Sequence, residues 1–384
     1  MTTIDDFCSG FAEEAGYLDF ASFGPLGRAA IEEQLAVLEL MRRARFGSLA
    51  SLFGQDARVR AAVGTLTGFP AEQVVLQPNT GSGLMQAMFG ITGGVLLSAT
   101  EFPALPVAAV RAADALSVLV PHWLDTDGGP VTPGVIRDQL APSIVAVAVS
   151  LVDVRTGYLA DLEGIRQVIG DRLLIVDATQ GFGIVDAPFH LADIVASGGQ
   201  TWVRAGWGTG FLALSERALE RLTPVFSGPA AMDSCERDSC ERDSCELTDD
   251  GVAPPARDAA AYSIGRASPI DQARFAAALE EIGAVSVPAI SARLAEKVSR
   301  VIDLADEFAL PVASSRAENQ RAGIIVLEPA ADQLTPLTAS LFNHGITATT
   351  IGGTVRLSPH VSTTEETFAA LRGAFISYAS TITV

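Results

Sequence analysis

Lysine is almost missing from this chain of 384 residues: Lys297 is the only one, and its setting, SARLAEKVSR, reads as the charged side of a surface helix. Cysteine is scarce too. Cys8, Cys235, Cys240 and Cys245 are too few and too clustered for a disulfide framework, which fits a reducing compartment. No stretch reaches the roughly 18 unbroken apolar residues that a membrane span needs. The first residues, MTTIDDFCSGFAEEAGY, carry acidic side chains where an export signal would carry basic ones. Positive charge is short overall: 26 Lys and Arg stand against 45 Asp and Glu, and the net charge of −19 would repel a phosphate backbone. These absences predict a cytoplasmic protein with no membrane or nucleic-acid partner.

What is present is apolar and regularly punctuated. Hydrophobic residues make up 48% of the chain, enough to exclude general disorder and to fill a substantial core. Between residues 74 and 215, short β-branched runs alternate with amphipathic stretches: VVLQ (74–77), VLLSA (95–99), LSVLVP (116–121), IVAVAVSLV (144–152), LLIVDA (173–178) and GFLALS (210–215). Buried strands alternating with helices predict a mostly parallel sheet with helices on both faces. Ligands of such sheets sit beyond the carboxyl ends of the strands, which directs attention to the loops after Gln77, Ala99, Leu151 and Val176.

Past Tyr262 the pattern changes. One long helix-like stretch is expected from Asp271 to Phe308, then strands at 323–329 and 354–360 with helices at 334–344 and 364–377. The expected organisation is an α/β domain over 46–265 and a smaller α+β domain over 266–384, joined by the N-terminal segment 1–45. Within the larger unit, 233–258 contains DSCERDSCERDSCEL, three near-identical units that read as a duplicated stretch in a tolerant surface loop. Its cysteines lie five apart without histidines, unlike the short spacing of zinc ligands. No metal site is expected.

Several segments carry candidate chemistry. In QPNTGSGLMQAM (77–88), Thr80, Gly81 and Ser82 fall between a strand and a helix, where free N–H groups and the helix dipole favour a phosphate; helix capping by Thr80 or Ser82 is the simpler alternative. LLIVDATQGFG (173–183) ends an apolar strand on Asp177, which is costly to bury without a cationic partner unless it serves as a turn residue. TVRLSPHVSTTEE (354–366) puts Arg356 on a strand, and arginine grips a carboxylate bidentately.

In their order, these segments resemble the class V aminotransferase-like branch of the fold-type I pyridoxal-phosphate (PLP) enzymes, the group of cysteine desulfurases, kynureninases and isopenicillin N epimerase-like proteins. The likeness takes in YLDFASFGPLG (17–27), QPNTGSG, EFPALP (101–106), SLVDVRTGYLADLEGI (150–165), LLIVDATQGFG, SGGQTWVRAGWGTGFLALS (197–215) and TVRLSPH. It implies the fold-type I architecture, a homodimer and an amino-acid or 2-oxo-acid substrate. By resemblance, Thr80, Gly81 and Ser82 belong to the cofactor's phosphate region, and Gln200 is among the residues that bind the cofactor. Phe102 falls where a ring stacks on the pyridine, Asp177 where a carboxylate pairs with the ring nitrogen, and Gln180 where an amide meets the ring hydroxyl. Arg356 falls where the substrate carboxylate is held, and Arg266 near where relatives reach the neighbouring subunit's phosphate. Asp153 or Arg155 would face the pocket from their loop. Gly198 stands where relatives often carry a phosphate-binding serine.

Against this background Thr201 is the departure, for it stands where the family has its Schiff-base lysine. A threonine hydroxyl is non-basic at neutral pH and forms no imine. Three readings follow. PLP or pyridoxamine phosphate is bound without covalent attachment, a base coming from elsewhere; of the four imidazoles, His360 lies near Arg356 in the motif. Alternatively the fold has been reused for cofactor-independent catalysis or binding. The third reading is an ordinary PLP lyase, aminotransferase or desulfurase disabled by a lysine-to-threonine substitution. None of the four cysteines matches a desulfurase nucleophile, which favours other carbon–nitrogen or carbon–sulfur chemistry over sulfur transfer.

Overall fold

A computed structural model describes residues 2–43, 45–232 and 254–382; the DSCER repeat lies outside the described residues. The β-branched runs form a seven-stranded sheet from β1 (Val74–Leu76), β2 (Gly93–Leu97), β3 (Leu119–Trp123), β4 (Ile144–Ser150), β5 (Leu173–Asp177), β6 (Ile194–Gly198) and β7 (Gly210–Leu214). Their order across the sheet is β1-β7-β6-β5-β4-β2-β3. Only β7 runs antiparallel to its neighbours, pairing with β1 and β6. Strands β5, β6 and β7 are buried along their whole length, the condition that produces continuous apolar runs instead of alternation. Strand β6 escaped the sequence pattern because three of its five residues, in IVASG, are Ala, Ser and Gly.

A second sheet of three antiparallel strands, β8 (Ile325–Leu327), β9 (Thr349–Ile351) and β10 (Thr354–Leu357), has the order β8-β10-β9. The single long helix expected over 271–308 is two helices, Pro269–Val285 and Val287–Glu307, bent by 84°. The break sits at Ser286, whose φ of 82° is left-handed, and Pro288 stands in the first turn of the second helix, where its missing N–H costs nothing. Among the described residues no single helix is long and apolar enough to cross a membrane.

The N-terminal segment is threaded between the two sheets. The Leu18 amide donates to the Thr347 carbonyl and the Ser358 amide donates to the Leu18 carbonyl, at 3.1 and 2.7 Å. Leu18 and Phe20 are fully buried there. This brings residues 19–25 against both the strand bearing Arg356 and the turn bearing Thr201. The Gly24 amide donates to the Gln200 carbonyl at 2.8 Å, and a Cβ at Gly24 would collide with the Thr201 carbonyl, so only glycine allows this approach.

Candidate active site

Asp177 ends β5 opposite Ser150 of β4, and only 3% of it is exposed. Its Oδ1 accepts from the Thr179 amide at 2.9 Å and from the Thr179 hydroxyl at 2.6 Å. That hydroxyl, having given its proton to Asp177, accepts from Thr80 at 2.7 Å. Asp177 therefore does serve its own turn, but with one oxygen. No arginine, lysine or histidine pairs with it among the described residues, and burial pushes its carboxyl above the usual range. A buried carboxylate left in this state fits a cationic ligand group.

The helix Thr80–Gly90 begins beside this carboxylate. Its cap is neither Thr80 nor Ser82 but Asn79, whose Oδ1 accepts from the Ser82 amide at 2.9 Å. That relieves Thr80 of capping and leaves it to support Thr179. Gly198, at the end of β6, faces the same N-terminus: a Cβ there would run into the Gln200 carboxamide and come within 3.2 Å of the Thr80 hydroxyl. The Gln200 side chain thus fills the space a serine at 198 would take. Together the helix N-terminus, Thr80 and the Gln200 amide make an uncharged setting suited to an anion.

Thr201 lies 3% exposed on the next turn, its hydroxyl donating to the Thr179 carbonyl at 3.2 Å. Its one proton is committed to the backbone. Gln180 is held at both ends, accepting from the Trp202 indole at 2.8 Å and donating to the Ala21 carbonyl at 3.0 Å, which leaves one amide N–H for a ligand. Phe102, before the helix Ala104–Leu116, is 46% exposed. Arg266 rests over the Phe53 ring at 4.1 Å. Asp153 and Arg155 pair with each other at 3.0 Å.

Glu101 gave no signal in the sequence, yet it sits where these loops converge. Its Oε2 accepts from the Ser150 amide at 3.2 Å. Burial, reinforced by the nearby negative charges of Asp153 and Asp177, pushes its carboxyl up to about 7. It is a group able to hold or release a proton near neutral pH.

Arg356 on β10 is buried, and the residues around it come from two distant segments. Its Nη2 donates to the Ser22 hydroxyl at 2.5 Å and lies 3.4 Å from both Asp19 Oδ1 and the Thr349 hydroxyl. Its Nε is buried with no hydrogen-bond partner among the described residues. An orphaned guanidinium N–H fits an anionic ligand, since leaving it unmet is costly.

His360 keeps different company from the one its closeness to Arg356 in sequence suggested. It is stacked on Phe20, with ring centroids 4.9 Å apart, and its Nδ1 lies 2.8 Å from the Ser362 hydroxyl and 3.4 Å from Arg204. Burial and the Arg204 charge hold its pKa well below the usual histidine range. The strand ends at Leu357, so its alternation does not reach His360, and the chain beyond the strand turns that ring toward Phe20 and Arg204 instead. Arg204 is itself 1% exposed and left-handed, with φ of 60°. It is saturated by Glu13 at 2.5 Å, the Pro25 carbonyl at 2.5 Å and Ser362 at 3.0 Å, with the Phe11 ring 3.7 Å away.

The same architecture is found in solved structures of low sequence identity. Apo cysteine desulfurase from Thermococcus onnurineus NA1 is 19% identical, with a TM-score of 0.80 over 94% of this chain and 93% of that one. A lysine-to-alanine mutant of C-DES with glycine covalently linked to its PLP cofactor is 16% identical, with a TM-score of 0.82 over 94% and 96%. The cysteine desulfurase CsdA from Escherichia coli is 16% identical, with a TM-score of 0.80 over 100% and 99%. No curated protein matches the chain. The family described as aminotransferase class-V matches residues 57–379, which takes in both sheets and every candidate residue from Thr80 to Arg356. The chain is a member of the class-V aminotransferase family, with the fold of the PLP-dependent enzymes.

Proposed function

We propose that this protein binds PLP or its amine form without a covalent link and uses it on an amino-acid-like carboxylate substrate, Thr201 standing at the family's lysine position. The observation that carries this reading is the buried Asp177 carboxylate, held on one oxygen by Thr179 and lacking a counter-cation among the described residues. A protein that had abandoned cationic ring ligands would gain stability by replacing such an aspartate. The orphaned Arg356 Nε supports the carboxylate part. In C-DES, a lysine-to-alanine mutant still holds PLP with glycine covalently linked to it, so in that protein holding PLP joined to an amino acid does not require that lysine.

The bound cofactor would supply an electron sink, which Asp177 sustains by keeping the ring nitrogen protonated. The residues of the chain divide the remaining work. Thr80, Ser82 and Gln200 would receive the phosphate at the helix N-terminus, and the free N–H of Gln180 the ring hydroxyl. Arg356 would orient the substrate by its carboxylate, and Phe102 would cover the ring. Thr201 moves no proton, because its hydroxyl is non-basic and bound to a carbonyl. Glu101, poised near neutrality, is the candidate for holding a proton at this end of the sheet. Loss of a positioned acid–base lysine predicts turnover about 10²–10⁴-fold below that of a lysine-bearing relative. A homodimer, with Arg266 reaching the partner's site, completes this reading.

Absorbance of the purified protein with added PLP tests it. The expected result is a visible band that remains with the protein on gel filtration and is not fixed to it by borohydride. Absence of affinity for PLP and for pyridoxamine phosphate would overturn the reading in favour of a repurposed fold. Thr201→Lys is the companion: a borohydride-fixable band with amino-acid turnover well above that of the parent is expected.

A further inference from the structure

We infer that Asp19 is a specificity-determining residue that makes this site select carboxylates bearing a hydrogen-bond donor, an ammonium or hydroxyl group, on a neighbouring carbon. The inference rests on the reading of Arg356 as the carboxylate site and adds to it a second, opposite charge.

The argument starts from how Arg356 is occupied. Of its donors, Nη2 is committed to Ser22 and shared with Asp19 and Thr349, while Nε is left unmet. A ligand carboxylate arriving at Nε therefore comes in beside an aspartate and not into a purely cationic hole. Asp19 itself is fixed: its Oδ1 accepts from Thr349 at 2.8 Å and from Ser22 at 3.0 Å, in addition to the arginine. Oδ2 has no hydrogen-bond partner among the described residues. The Asp19 side chain is 15% exposed, against 8% for Arg356, so the free oxygen belongs to a partly open edge.

A plain carboxylate at this edge gains the Arg356 contact but meets repulsion from Asp19. A carboxylate with an adjacent donor turns the same aspartate into a partner, since an ammonium or hydroxyl supplies the proton that Oδ2 lacks. Specificity of this form comes from a repulsive element as well as an attractive one, and a site built to hydrogen-bond a substrate group rejects analogues without it. Backbone bonding through Leu18 and Ser358 keeps Asp19 at this distance from β10.

L-Lactate and propionate isolate the effect, since they share a carboxylate, differ by one hydroxyl, and neither condenses with a cofactor aldehyde. Calorimetric titration of the full chain, with and without PLP, is expected to show L-lactate binding about tenfold more tightly, the scale of one hydrogen bond to a charged group. Asp19→Asn should bring the two within about twofold, mainly by tightening propionate. Ser22→Ala, which keeps the aspartate charge, should preserve the preference. A lactate preference unchanged by Asp19→Asn, or abolished equally by Ser22→Ala, would overturn the inference while leaving the carboxylate reading intact. Arg356→Gln tests that reading separately: loss of both ligands supports it, and full retention of both, or no binding of either by the parent, refutes it together with the inference.

Discussion

Two buried charges flank the turn of Thr201, and they are treated in opposite ways. Arg204, three residues after it, is met by a carboxylate, a carbonyl, a hydroxyl and an aromatic face. Asp177, across the sheet end, has one oxygen tied to its own turn and no cation among the described residues. Both are almost wholly buried. A saturated charge is a fastening, because nothing remains for a ligand to satisfy. An unbalanced one raises the free energy of the empty protein and lowers it again when the right ligand binds. The Arg204 cluster ties Glu13 and Pro25 of the N-terminal segment to Ser362 near the second sheet, whereas Asp177 is bonded only within its own turn among the described residues.

The comparison breaks most visibly at Glu13. Glu13→Gln leaves Arg204 buried without its counter-charge and is expected to cost about 3–5 kcal/mol, read as a large fall in Tm. Burial works to raise the Glu13 carboxyl, but Arg204 and Ser362 hold it below its ordinary value, so this pairing is lost as pH falls through the acid range. Asp177→Asn should act in the opposite sense on the empty protein. The raised carboxyl of Asp177 stabilises least once pH exceeds its folded value, and an isosteric amide keeps the Thr179 bonds. The cofactor-free variant should therefore lose less stability than the parent as pH rises above the ordinary carboxylate range, read as a Tm that falls less with pH, while PLP affinity falls at least about tenfold with the charge-assisted bond. A variant that lost stability would place Asp177 with the fastenings.

Glu101 gives the smallest effect and the sharpest pH signature. With its carboxyl raised to about 7, its contribution to stability is complete below its ordinary value near 4.5 and disappears as pH rises through about 7. Glu101→Gln should remove a loss on the order of 1–2 kcal/mol between pH 5 and 8. Equal pH dependence in the parent and the variant, measured by thermal unfolding, would show that Glu101 is well solvated and unsuited to hold a proton in the site.

The central strands of the large sheet were legible because burial on both faces demands unbroken β-branched runs; β6, with its small residues, lacked that mark, and the edge strand β3, LVPHW, is only partly buried. The motifs around Asp177, Thr201 and Arg356 were legible for a similar reason, since each is a short stretch whose chemistry is carried by adjacent residues. Other features depended on distance in sequence. Asp19 and Arg356 meet across 337 positions and Arg204 and Glu13 across 191, and no local pattern announces either pairing. His360 shows the converse, a near neighbour of Arg356 in sequence that packs against Phe20 and Arg204 instead.

By itself, the sequence determined the α/β class and that the chain holds one lysine, Lys297, because periodicity and residue identity are local properties. Only the tertiary structure decided which charges are satisfied: that Thr201 spends its proton on Thr179, that Asp177 is left without a cation among the described residues, and that Arg356 shares its edge with Asp19. Satisfaction of a buried charge is set by groups brought together from distant segments, and it is this balance that separates a fastening from a site.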